Sequence, residues 1–159
     1  HGALVLDNGV IRVTLSSEGL VTSAVDLATG HDAIAPGGAG ALLQLHPDLP
    51  NKWDAWDVDR FYRNRVRDLR EADSIAASVD EAGVGRVVVD RTISANSSVR
   101  QVFSLAPGSR TVHLEQTTDW HEVETFLKVA FPLAVRADHT SAETQFGHQR
   151  RPTHVNTSW

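Results

Sequence analysis

Apolar and polar residues alternate with a period of two along most of the chain, which is the pattern of strands with one buried face. Ile11, Val13 and Leu15 alternate with Arg12 and Thr14 directly after Asp7-Asn8-Gly9. Asn-Gly is a strong hairpin signal, because a two-residue turn requires positive φ at both central positions. A hairpin over residues 3–15 is therefore predicted. Further apolar runs at 20–25, 42–45, 86–93, 99–105, 110–120 and 126–133 are separated by turn-forming clusters such as Ser16-Ser17-Glu18-Gly19, Pro36-Gly37-Gly38 and Ala106-Pro107-Gly108-Ser109. Within 110–120, Val112, Leu114, Gln116, Thr118 and Trp120 share one face, and His113, Glu115, Thr117 and Asp119 the other. No segment sustains apolar residues at helical spacing through three turns. Val58 to Leu69 comes nearest, and predicts a short helical turn. The pattern predicts an all-β fold, an antiparallel β-sandwich forming a single domain over residues 1–159.

Two segments break the alternation. The first, residues 47–62, reads Pro-Asp-Leu-Pro-Asn-Lys-Trp-Asp-Ala-Trp-Asp-Val-Asp-Arg-Phe-Tyr, and the second, 145–159, reads Gln-Phe-Gly-His-Gln-Arg-Arg-Pro-Thr-His-Val-Asn-Thr-Ser-Trp. Both are long, polar and rich in aromatic residues, the composition of functional loops on a rigid scaffold.

Composition narrows the chemistry. With 15 Lys and Arg against 20 Asp and Glu, the formal charge of -5 gives no long-range attraction to nucleic acid or to an anionic membrane surface, so neither is an expected partner. No apolar run reaches the roughly 20 residues of a membrane span, and the start has no signal-peptide layout. Localisation stays open on this evidence, with the cytoplasm slightly favoured. Zero cysteines exclude disulfides, thiolate metal sites and a cysteine nucleophile. The chain contains no methionine and begins with His1, and is expected to be a piece of a longer protein.

Asp54, Asp57 and Asp59 form the densest carboxylate cluster. They lack the glycine and glutamate of a calcium-binding loop, and three carboxylates in one short stretch do not fix the separation a glycosidase pair requires. They are expected to cap turns and to bind Arg60, Arg63 or Arg65. Trp53 and Trp56, with Tyr62 closing the segment, either present flat faces to a sugar or pack against another part of a protein. His148 and His154 have five residues between them, a spacing that matches no standard zinc pair, and are expected to hydrogen-bond backbone groups. No Gly-x-Ser-x-Gly, phosphate-binding glycine loop or His-Glu-x-x-His is present.

Four stretches, in order, carry a resemblance: Pro50-Asn51-Lys52-Trp53-Asp54-Ala55-Trp56-Asp57; Asp119-Trp120-His121-Glu122; Leu127-Lys128-Val129-Ala130-Phe131-Pro132; and Gln145-Phe146-Gly147-His148 leading to Arg151-Pro152-Thr153-His154-Val155-Asn156-Thr157-Ser158-Trp159. Together they resemble the C-terminal β portion of bacterial-type α-mannosidases of glycoside hydrolase family 38. The resemblance implies a partial sandwich of the galactose mutarotase-like supersandwich type, one fragment of a larger multidomain glycosidase. The parent it implies is a retaining, zinc-dependent enzyme that releases mannose from α-mannosides, with its nucleophile and zinc ligands in domains upstream. No catalytic residue and no cofactor is then expected in this chain.

The implied role is a non-catalytic domain that packs against, or lines the edge of, the catalytic domain of the same parent chain. Trp53, Asp54, Trp56, Asp57, Asp59, Tyr62, His148, Arg151, His154 and Asn156 are the residues expected near that junction or near the α-mannoside substrate. An autonomous carbohydrate-binding module built on Trp53 and Trp56 is the alternative. A mutarotase-type enzyme is the third reading.

Overall fold

The computed structural model describes residues 2–53 and 56–154. The strands are β1 (Leu4–Asp7), β2 (Ile11–Leu15), β3 (Val21–Asp26), β4 (Leu42–Pro47), β5 (Arg67–Leu69), β6 (Ser74–Val79), β7 (Gly85–Thr92), β8 (Ser98–Leu105), β9 (His113–Asp119), β10 (Thr125–Ala130), β11 (His139–Thr144) and β12 (Gly147–Pro152). One 3-10 turn, Arg60–Asn64, is the only helical element among the described residues. The fold is an all-β antiparallel sandwich, as the alternation predicts.

One layer is the four-stranded sheet β6-β7-β8-β9. The facing layer consists of two three-stranded pieces, β1-β2-β3 and β10-β4-β5. They meet at an antiparallel bridge where the Val21 N–H donates to the Gly40 carbonyl at 3.0 Å and the Gly40 N–H returns a bond of 2.8 Å. Each piece closes its own apolar cluster against the long sheet. Leu6, Val13 and Leu15 meet Val87, Val89, Phe103 and Leu105, while Leu43, Leu45 and Leu69 meet Ile93 and Val99. Phe103 is 1% exposed, and burying a side chain of that size contributes roughly 2 to 3 kcal/mol.

Between the two clusters the inward rows of β7 and β8 are interrupted by polar residues. The rows read Val87, Val89, Arg91, Ile93 and Val99, Gln101, Phe103, Leu105. Arg91 is 1% exposed and Gln101 fully buried. The Arg91 guanidinium donates through Nη1 to Gln101 Oε1 at 3.1 Å and through Nη2 to the Glu18 carbonyl. Gln101 Nε2 donates to the Ala41 carbonyl at 3.4 Å and to Gln116 Oε1 at 3.1 Å. The pair thus ties the long sheet to the β2–β3 turn and to the start of β4.

Three local features depart from the sequence reading. The turn after β1 is not a two-residue hairpin, because Asp7 pairs with Arg12 and only Gly9, at φ 78°, has positive φ. Asn8 serves as an anchor instead. Its Oδ1 accepts from the Val10 and Ile11 N–H groups at 3.0 Å, and its Nδ2 donates to the Ala106 and Ser109 carbonyls at 2.7 and 2.8 Å. Strands β5 and β6 were not predicted, being short or lacking charged residues to mark an alternation. The expected loop over 145–159 is, as far as Pro152, the second arm of a hairpin in which β12 pairs with β11 from His139↔Pro152 to Thr144↔Gly147.

Gly19 separates two costs that act together at many turns. It has φ 70°, and a Cβ there would lie 2.7 Å from Val89 Cγ1. Gly30 has φ 72° with nothing within 4 Å. Gly30→Ala is expected to cost about 1 kcal/mol from backbone strain alone, and Gly19→Ala about 2 to 4 kcal/mol, because strain and overpacking add. Urea unfolding of both variants checks this, and equal losses would contradict the packing role of Gly19.

Candidate functional site

The outer face of β10-β4-β5 carries a small second core. Phe126 pairs with His46 in register and Lys128 with Gln44, so period two places all four on the face opposite Leu43, Leu45 and Leu127. The chain leaves β4 after Pro47, and at Tyr62 it is back on this face. The start of the 47–62 segment is tied down by a 2.8 Å bond from the Asp48 N–H to the Glu124 carbonyl. Its end is the 3-10 turn, which Asp59 caps by accepting from the Phe61 N–H at 2.8 Å.

Tyr62 lands on His46 and Phe126. The ring centroids are 5.0 Å apart for Tyr62–His46, 5.1 Å for Tyr62–Phe126 and 5.2 Å for His46–Phe126, the first two edge-on and the last stacked. His46 Nδ1 lies 3.3 Å from the Tyr62 carbonyl and 3.0 Å from the Arg65 carbonyl. Both partners only accept, so Nδ1 carries a proton, and the other ring nitrogen is Nε2. That nitrogen is buried with no partner. His46 therefore fastens the end of the 3-10 turn, adding to the bond that the Tyr62 carbonyl accepts from the Arg65 N–H at 3.2 Å.

The Tyr62 hydroxyl accepts from Lys128 Nζ at 2.9 Å and from Arg63 Nε at 3.1 Å. The Lys128 bond first, then the Arg63 bond, outweigh burial and hold the phenol below its ordinary pKa. Nearby, the Glu122 carboxyl is held below its usual range, chiefly by the Ser94 hydroxyl at 2.5 Å and then by Ser97, with Arg67 and His121 adding. His121 lies at a strand end, its Nε2 2.9 Å from Asp119 Oδ1.

Above this base the aromatic residues stand in water. Trp53 is 68% exposed and Trp56 is 85% exposed. Trp53 has φ 63°, an uncommon conformation for a bulky residue, and its carbonyl accepts from the N–H groups of Trp56 and Asp57 at 2.7 and 2.9 Å. The expected carboxylate–arginine pairing does not form among the described residues. Asp59 caps the turn, Arg63 binds Tyr62, and Arg60 sits 4.5 Å from the Phe61 ring centroid. Asp54 lies outside the described residues.

The second expected segment does not join this group. His148 lies opposite Glu143 on an exposed hairpin, and Arg151 donates to Gln149 Oε1 at 3.0 Å. No hydrogen bond links the hairpin to the 47–62 segment among the described residues. His148 and His154 are exposed and make none of the expected backbone bonds there, and Asn156 lies outside the described residues. Among the described residues no three His, Asp or Glu side chains gather around a common point. His46, Lys128 and Phe126, which the sequence reading did not single out, do more to shape the site. Lys128 left one usable signal, a lone charge in an apolar strand.

Residues 6–159 match the family described as "Glycosyl hydrolases family 38 C-terminal domain". The chain belongs to this family. It is 42% identical over 159 residues to Alpha-mannosidase 2C1 of Homo sapiens, covering 99% of the chain and 15% of that protein. Alpha-mannosidase G of Dictyostelium discoideum is 32% identical over 165 residues, with 99% of the chain and 15% of the relative covered. Alpha-mannosidase of Saccharomyces cerevisiae is 31% identical over 170 residues, at 98% and 16%. The family 38 domain described here thus spans about 15% of the length of the curated relatives it matches.

Tyr62 is the domain's single tyrosine, so its ionisation can be followed by tyrosinate absorbance. It is expected to ionise below the ordinary value of about 10, and Lys128→Gln should move it back up. A lowered phenol pKa adds stability only above the unfolded value, and this is lost as pH falls through the folded value, so the contacts should leave the pH 7 stability unaffected through this route. An unshifted titration would contradict the geometry.

Proposed function

We propose that the chain is the non-catalytic β-domain of an α-mannosidase that hydrolyses terminal α-mannosides with retention, and that the 47–62 segment packs against or lines the edge of the catalytic domain of the same polypeptide. The observation that carries this reading is the pairing of a rigid base with an unsatisfied top. His46, Tyr62 and Phe126 lock the segment in place, while Trp53 and Trp56 are left in water at a cost that only a contact would offset.

Membership of a family of C-terminal domains agrees with it. So does the length of the relatives, of which the chain is a small part. The zinc of the proposed enzyme belongs with the upstream catalytic domain. Here Lys128 and Arg63 orient the Tyr62 hydroxyl, and Asp59 and His46 hold the two ends of the 3-10 turn.

In the intact enzyme, replacing both Trp53 and Trp56 by Ala should lower the thermal midpoint and kcat/KM together. Asp57→Asn should leave a measurable rate, as should Asp54→Asn. Loss of all turnover in either aspartate variant, folded and zinc-replete, would make the segment catalytic and overturn the reading. Heat released when α-mannosides are titrated into the 159-residue chain would favour a carbohydrate-binding module instead.

A further inference from the structure

Among the described residues every sheet edge but one carries a charged residue. β1 ends in Asp7, β3 in Asp26, β5 contains Arg67 and Asp68, β9 contains Glu115 and Asp119, and β10 contains Lys128. The exception is β6, Ser74-Ile75-Ala76-Ala77-Ser78-Val79, the terminal strand of the long sheet. It has no charge, no proline and an unbroken register with β7 from Ser74↔Asp90 to Val79↔Gly85. Natural proteins protect free edges with charge, proline or bulges, because an unprotected edge templates another strand.

The ladder fixes which backbone groups are free. The Asp80 N–H donates inward to the Val84 carbonyl at 3.1 Å. Because antiparallel bonding alternates, Ser78, Ala76 and Ser74 also point their N–H groups at β7, and Ile75, Ala77 and Val79 point theirs away. No described residue accepts from these three.

The side chains on that edge are left uncovered as well. Ile75 packs on the core, and period two puts Ala77 and Val79 on the same face. Val79 is nevertheless 72% exposed. With Val5, Leu6, Leu105 and Pro107, and with the polar Asp7 and Asn8, it borders a hollow of about 370 Å³ where β1 and β6 leave the sandwich open.

We propose that the outer edge of β6 receives an extended strand from the part of the parent polypeptide outside these 159 residues, and that this strand closes the open side of the sandwich. The incoming segment pairs with the free groups of Ile75, Ala77 and Val79, and its alternate apolar side chains fill the hollow beside Val79. The inference rests on the chain being one domain of a longer α-mannosidase, and the relatives supply some six times its length. A second copy of the chain is the competing occupant, and hydrophobic polar alternation on β6 alone would serve it equally. The relatives' added length favours the intramolecular strand.

Hydrogen exchange of the intact parent, resolved by mass spectrometry across Ser74–Val79, tests this. The amides of Ile75, Ala77 and Val79 should exchange at least about 100-fold more slowly than unpaired amides. Exchange at the unpaired rate would overturn the proposal, as would protection that rises with protein concentration, which would give the edge to a second copy. Val79→Lys provides an independent reading. On a covered edge it should lower the thermal midpoint of the parent by several degrees, whereas at a solvated position it should leave the midpoint unchanged, which would also overturn the proposal. Turnover of an aryl α-mannoside by the wild-type parent is read alongside. Its absence would remove the mannosidase reading while leaving the strand assignment standing on the exchange data.

Discussion

A buried guanidinium sits where three pieces of sheet meet, and the sandwich is arranged around it. Arg91 interrupts an otherwise apolar row on β7, and Gln101 does the same on β8. A lone buried charge costs several kcal/mol, so the surrounding structure must supply its partners. It does so for the two terminal nitrogens, directly through the Glu18 carbonyl and through Gln101, whose own Nε2 donates to the Ala41 carbonyl, while Nε is buried without a partner. The Glu18 carbonyl comes from the turn that joins β2 to β3, and the Ala41 carbonyl from the entry to β4. Burial lowers the Arg91 pKa, opposed by the nearby charges of Glu18 and Asp73, but an arginine stays protonated at any pH where the protein is folded. Apolar side chains alone would let the two three-stranded pieces slide along the long sheet. The Arg91–Gln101 pair specifies where each one stops.

Seating β4 has consequences on the opposite face of the same strand. Leu43 and Leu45 point inward to the core, so His46 must point outward, where it meets Phe126 and receives Tyr62. The 3-10 turn rests on that base, and the turn holds the end of the segment bearing Trp53 and Trp56. The path from core to candidate site is therefore short and made of packed side chains. What the frame leaves uncovered, the tryptophan ledge on one face and the β6 edge on one side, is where a longer polypeptide of the α-mannosidase family would make its contacts.

The strands with one buried face were legible in the sequence because burial imposes the alternation directly. Val13 and Leu15, Val87 and Val89, and Phe103 and Leu105 all lie inward as the period of two requires. The β11–β12 hairpin was not legible, since every residue from His139 to Pro152 is exposed and neither face has an apolar stripe to read. The turn at Asn8-Gly9 was placed correctly, but its geometry was missed. Asn8 bonds to carbonyls about a hundred residues away, and such tertiary anchoring leaves no local signature. At the site, the aromatic and acidic density of 47–62 drew attention to the right segment. His46 and Lys128 were overlooked because their importance comes from cross-strand register, which the sequence of either strand alone does not contain. The order of the four motifs identified the family where residue chemistry alone left three functional readings open.

If the Arg91–Gln101 pair is what positions the two halves of the facing layer, its members must be energetically coupled. A double-mutant cycle with Arg91→Met, Gln101→Leu and the combined variant, followed by urea unfolding, measures this directly. The single variants should each lose about 2 to 4 kcal/mol, since each leaves a buried polar group without its partner. The double variant should lose less than the sum by at least about 1 kcal/mol. Losses that add within about 0.3 kcal/mol would show that the two side chains act independently, and would contradict the account.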